Sequence, residues 1–169
     1  MDTVLSFHVG QAVLIGATPH RVWSAIIEQT SRWWGSPYLL IDDAGTRLQV
    51  EARLGGQVRE VAGDHQASWG TITEIDPGRV LTWTGQMGMG GAVTGSVEYH
   101  LDPVSQGTRV TVTHNAIGTF GPRAVDTYDY GWADLQARLR AWVQDGVAYG
   151  VAGANTAPEF TFEPTQRGE

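Results

Sequence analysis

The sequence predicts an α+β fold in a single domain. Its elements are an antiparallel sheet of about seven strands, two short helices after the first strand and a long helix near the C-terminus. Three observations carry this. Residues 4–15 alternate, with Leu5, Phe7, Val9, Val13 and Ile15 on one face and only Gln11 interrupting it. The middle of the chain is a series of short alternating segments separated by turn signals. Towards the end, apolar residues recur at helical spacing. A chain of 169 residues is long enough for one substantial core. The domain is expected over residues 1–146, with a flexible tail over 147–169 rich in Gly, Ala, Pro and Thr, in which "EFTFE" could add a short strand.

The alternation of 4–15 is that of a half-buried strand. In "GATPHRVWSAIIEQ", Thr18 can cap a helix and Pro19 suits its first position. Val22, Trp23, Ile26, Ile27 and Thr30 form its apolar stripe. "TSRWWGSP" reads as a second short helix stopped by Gly35 and Pro37. "TRLQVEARLGG" sets Leu48, Val50, Ala52 and Leu54 against Gln49, Glu51 and Arg53. "GQVREVAG", "SWGTITEIDPG", "RVLTWTGQ", "GSVEYHLDP" and "TRVTVTHN" follow, with "GG" at 55–56 and "DPG" at 76–78 as hairpin turns. Short links between such strands imply an antiparallel meander. The last element places Tyr128, Trp132, Leu135, Leu139 and Trp142 on one stripe, extended by Val125 and Val143. Asp134 and Arg138 can pair on its polar face. Gly131 leaves room beside Trp132, for a ligand or for close packing on the sheet.

Composition narrows the functional classes. A net charge of −7 argues against a nucleic-acid partner. All 11 basic residues are Arg, so lysine Schiff-base chemistry is excluded. The absence of Cys removes disulfides, thiol catalysis and cysteine metal sites. The five His show no metal-ligand spacing, and no metal or other cofactor is expected. "GMGGAVTG" (88–95) is Gly-rich but lies between strands, so it reads as a hairpin loop, with Met87 and Met89 as an apolar lid. The N-terminus does not read as a signal peptide and no apolar run is long enough to span a membrane; a cytoplasmic protein is the default expectation.

Strand parity selects inward side chains. Val97, Tyr99 and Leu101 share one face of their strand, with His100 on the other. Val110, Val112 and His114 point inward, as do Leu81 and Trp83. Val58 and Glu60 share a face, although Arg59 and Val61 could equally be the inner pair; Glu60 is expected to be exposed or paired with Arg, since a buried carboxylate needs a partner.

"ATPHRVWSAI" (17–26), "RWW" (32–34), "LGGQVRE" (54–60), "GTITEIDPGRVLTWT" (70–84), "GTRVTVTH" (107–114) and "GWADLQARL" (131–139) fall in the order seen in a known superfamily. On these motifs, over roughly residues 4–146, the chain resembles the helix-grip, START/Bet v 1-like (SRPBCC) superfamily. Within it, the chain is most similar to the group related to the C-terminal domain of the Hsp90 ATPase activator. The resemblance implies a curved sheet wrapped around the C-terminal helix, with a cavity between them closed by the two short helices. On that reading Trp33 is core and Trp34 sits at the cavity mouth; the other reading puts both in one aromatic core. The implied function is binding of a small, largely apolar or aromatic molecule, with Trp34, Trp83, Met87, Tyr128, Trp132 and Leu135 as contacts. A second reading is a polyketide aromatase/cyclase-type enzyme with His114, Glu60 and Tyr99 moving protons, His114 otherwise being a hydrogen-bonded structural residue. A third is a co-chaperone-like interaction module. Such domains often pair, so a homodimer is one expected state.

Overall fold

The computed structural model describes residues 3–149. Seven strands form one antiparallel sheet in the order β1-β7-β6-β5-β4-β3-β2, with each neighbour pairing antiparallel. They are β1 (Leu5–Ile15), β2 (Arg47–Val50), β3 (Gln57–Ala62), β4 (His65–Asp76), β5 (Val80–Gly85), β6 (Val93–Val104) and β7 (Gly107–Gly118). Helices α1 (Pro19–Ile27) and α2 (Thr30–Trp33) follow β1, and α3 (Ala124–Asp145) closes the domain. This is the helix-grip architecture, and "EFTFE" lies outside the described residues.

The registers align the inward side chains into rows across the sheet. Val9, His114, Val97, Trp83 and Ile72 form one row over β1, β7, β6, β5 and β4. Gln11, Val112, Tyr99, Leu81 and Ile75 form the next. Trp132, Leu135 and Leu139 of α3 lie buried in the same core cluster. β4 and β5 approach each other closely at a pair of glycines. Gly70 and Gly85 face each other so closely that a Cβ on Gly85 would stand 2.7 Å from the Gly70 Cα. A register shift between Ile72 and Glu74 adds a bulge beside this contact.

The start of α1 follows the residues predicted for it, and a glycine the sequence reading did not single out ends α3. The Thr18 hydroxyl accepts from the Arg21 amide at 3.2 Å and Pro19 opens α1. Gly146, at φ 66°, ends α3 in the left-handed region, and its amide and that of Val147 turn back to the Trp142 and Ala141 carbonyls. Beyond it the chain packs as far as it is described: Ala148 is buried, and the Tyr149 amide donates to the Arg32 carbonyl at 2.8 Å.

Two expectations are corrected. The second strand stops at Val50 instead of running through Ala52 and Leu54, and Leu54 is exposed. The cause is a tight loop in which the Arg53 amide donates to Glu51 O and the Gly56 amide to Arg53 O. Asp134 and Arg138 do pair, at 3.3 Å, but both are buried rather than on a polar face, because the segment after α2 lies over them.

The edge strand β1 is partly covered by side chains of α3. Gln136 Nε2 donates to the Gln11 carbonyl, the Gly16 amide donates to Gln144 Oε1, and Gln11 Nε2 reaches Asp129 Oδ1. Replacing the α1 cap, Thr18→Ala, should lower stability by about 1 kcal/mol in denaturant unfolding. An unchanged midpoint would show that the cap contributes nothing.

Candidate functional site

The double tryptophan is resolved by a change of backbone direction. Trp33 ends α2 with its indole N–H on the Ala25 carbonyl at 2.9 Å, beneath α1. At Trp34 the backbone turns extended, so its ring points away from α1 and packs edge-on against Trp69 of β4 and Trp132 of α3. The chain then crosses above α3 as an irregular strap, residues 35–46.

Under this strap lies a pocket of about 200 Å³. Trp34, Trp132 and Leu135 line it from below and Trp69 from the sheet side. Tyr38, Leu39 and Leu40 of the strap line it from above, and Tyr128 and Gly88 stand at its end. Pro37, Leu40 and Thr127 are exposed at the rim, so the pocket opens to solvent there. Two glycines make room for the strap. A Cβ on Gly131 would come within 3.3 Å of Tyr38 Cε1, and one on Gly88 within 3.0 Å of Leu40 Cδ2.

The strap is held at both ends. Glu60 is fully buried on β3, facing inward with Val58. It is neither exposed nor paired with Arg. Its carboxylate accepts the amides of Leu40 (2.7 and 2.8 Å) and Ile41 (2.9 Å) and the indole N–H of Trp69. These bonds give both carboxylate oxygens hydrogen-bond partners. At the other end, the Tyr38 hydroxyl donates to Asp134 Oδ2 at 2.6 Å and Arg138 donates to the Ser36 carbonyl at 3.0 Å. Burial and the Asp134 hydrogen bond push the Tyr38 hydroxyl far above its ordinary pKa.

Of the residues expected to touch a ligand, Trp34, Tyr128, Trp132 and Leu135 line the pocket, while Trp83 and Met87 lie behind it. Met87 is no lid. It is fully buried, its sulfur accepts the Trp83 indole N–H at 3.0 Å, and its carbonyl accepts the Tyr128 hydroxyl at 2.8 Å. Burial pushes the Tyr128 hydroxyl up to about 12. None of His114, Glu60 and Tyr99 lines the pocket.

His114 sits behind Trp132, whose indole N–H donates to its Nδ1 at 2.9 Å. That bond places the proton of the neutral ring on Nε2. Rings of Phe7 and Tyr128 pack around it, and burial pushes its pKa down to about 4. The Tyr99 hydroxyl is buried with no hydrogen-bond partner among the described residues, and burial alone raises its pKa. Sequence reasoning missed Tyr38, Trp69 and the strap. Trp69 beside Gly70 in "SWGTI" was a readable signal; a strap without periodicity gives none.

Glu60→Gln should cost about 1–3 kcal/mol, because the amide offers one acceptor oxygen to donors that now share two. Urea unfolding measures it, and a neutral result would mean the strap does not depend on the carboxylate. For His114, the unfolded chain binds a proton near pH 6.5 and the folded ring only near 4. Stability should therefore fall by about 3 kcal/mol as pH drops through that window, with no contribution above it. Unfolding from pH 7 to 4 should give a shallower slope for His114→Gln; equal slopes would contradict the buried neutral ring.

Comparison with known proteins bears out the fold. No curated protein matches the chain. Among solved structures, a protein of Rhizobium leguminosarum superposes with a TM-score of 0.67 at 12% identity, covering 85% of this chain and 98% of that one. DynU16, from the dynemicin biosynthetic locus, gives 0.67 at 19% identity, with 85% of this chain covering 49% of that one, about half its length. The Aha1 dimer of Colwellia psychrerythraea gives 0.58 at 16% identity, covering 83% and 98%. These likenesses establish the architecture alone. No helix among the described residues is long and apolar enough to cross a membrane. The family model described as Activator of Hsp90 ATPase homolog 1-like protein matches residues 16–144, and the chain belongs to that family.

Proposed function

We propose that the protein binds a small, largely apolar molecule in the pocket beneath the strap. The observation that carries this reading is the wall itself: Trp34, Trp69, Trp132, Tyr38 and Tyr128 surround about 200 Å³ of space that opens at one rim. An apolar cavity of roughly 150 Å³ holds benzene, so the pocket has room for a one-ring group or a somewhat larger one. No Asp, Glu, Arg or His side chain lines it. The polar groups suited to proton transfer, His114, Glu60 and Tyr99, stand behind the rings. The geometry therefore supports binding over the cyclase-type reading. The dimer formed by the Colwellia neighbour supports a homodimer as the assembly state.

Titration with neutral hydrocarbons such as benzene, toluene and naphthalene tests the reading, followed by tryptophan fluorescence and thermal unfolding. Saturable quenching and a rise in Tm are expected. Gly131→Ala should weaken binding severalfold by pushing Tyr38 into the pocket, while adding about 1 kcal/mol of intrinsic helix propensity. No saturable response to any hydrocarbon would overturn the proposal.

A further inference from the structure

We infer that the group held in this pocket is a quaternary ammonium, so that the largely apolar ligand carries a methylated cation, which the pocket binds more tightly than its neutral counterpart and in preference to an anion. The inference rests on the pocket being a ligand site, as proposed above. Its basis is where the five wall rings send their polar tips. The Trp34 indole N–H donates to the Tyr38 carbonyl, that of Trp132 to His114 Nδ1 and that of Trp69 to the Glu60 carboxylate. The Tyr38 hydroxyl donates to Asp134 and the Tyr128 hydroxyl to the Met87 carbonyl. Each ring thus directs the positive end of its polar bond to a protein acceptor.

Three consequences follow. A carboxylate or phosphate would find no free ring donor and no Arg in the wall, so an anion is disfavoured. A primary ammonium needs acceptors for three N–H groups and the side chains of the wall offer it only the hydroxyl oxygens of Tyr38, Thr127 and Tyr128, whereas a quaternary one has no N–H to satisfy. Two of the rings, Trp69 and Tyr38, donate to carboxylates, which drives electron density into the ring and strengthens the attraction of its face for a cation. Of these carboxylates, Asp134 is paired with Arg138, while Glu60 has no cationic partner among the described residues. Arg138 already covers one face of Tyr38 at 5.0 Å, so the tryptophan rings are the ones left to meet a ligand cation.

Shape agrees with charge. Trp34 meets Trp69 at 74° and Trp132 at 90°. Rings so inclined make adjoining walls of a box, which suits a compact round group. Two parallel rings would make a slot for a flat one.

The test compares choline with its neutral isostere 3,3-dimethylbutan-1-ol, which replaces the trimethylammonium by a tert-butyl group. Binding is read from the indole N–H signals of the intact protein by NMR. Choline should shift the Trp34, Trp69 and Trp132 signals and bind at least tenfold more tightly than the isostere. Leu40→Lys and Leu40→Glu both remove the same apolar wall contact but differ in charge, so the Glu variant should bind choline severalfold more tightly than the Lys variant, while the two variants should bind the isostere alike. Equal binding of the two compounds, or tighter binding of the isostere, would overturn the cation and leave the apolar pocket standing. Absence of any choline-induced shift would likewise overturn the cation, while the hydrocarbon titration decides separately whether the pocket binds at all.

Discussion

Glu60 places a carboxylate inside the protein with no cationic partner among the described residues, and two walls of the pocket hang from that one group. An isolated buried charge is strongly unfavourable. Here its oxygens are met by two successive strap amides and an indole N–H. Those bonds are charge-assisted, and they offset the desolvation only if all donors stay in place. The strap and Trp69 are therefore coupled through the carboxylate: moving either one strands a charge. The pocket inherits its shape from this constraint. Leu40 can lie over Trp69 only because the carboxylate holds the backbone there and Gly88 carries no side chain to block it.

A second buried charge works differently. Asp134 and Arg138 neutralise each other on α3, one turn apart, and each also holds the strap, Asp134 through the Tyr38 hydroxyl and Arg138 through the Ser36 carbonyl. The guanidinium also lies over the rings of Tyr38 and Tyr149, which ties the end of the described chain to the strap. The helix thus holds one end of the strap with a paired charge, while the sheet holds the other with an unpaired one.

Much of the fold was legible because periodicity reports burial. Strand parity placed His114, Tyr99, Trp83 and Leu101 on the inner face, and the 4-3-4-3 spacing placed Trp132, Leu135 and Leu139 against the sheet. Parity could not decide between Glu60 and Arg59, since both are polar and the bulge between Val58 and Arg59 interrupts the pattern. The i,i+4 spacing of Asp134 and Arg138 revealed the pair but not its burial, which depends on a strap whose Tyr38 lies 96 residues before Asp134 in the chain. Trp34 was readable as a residue with a second role, and so was the cap at Thr18. The strap itself was not, because its structure comes from tertiary hydrogen bonds rather than from local preference.

The edge strand β1 has a further bearing. It is 11 residues long, and Leu5–Ile15 includes no charged residue and no proline. Those are the usual devices that keep an open edge from recruiting another chain. Glutamines of α3 hold the strand instead: Gln136 Nε2 donates to the Gln11 carbonyl and to the Val110 carbonyl of β7, and the Gly16 amide just past β1 donates to Gln144 Oε1. The long helix is thus also a guard rail. Fraying of its last turn would release Gln144 from Gly16 and loosen the end of a long strand whose own sequence carries neither of those safeguards.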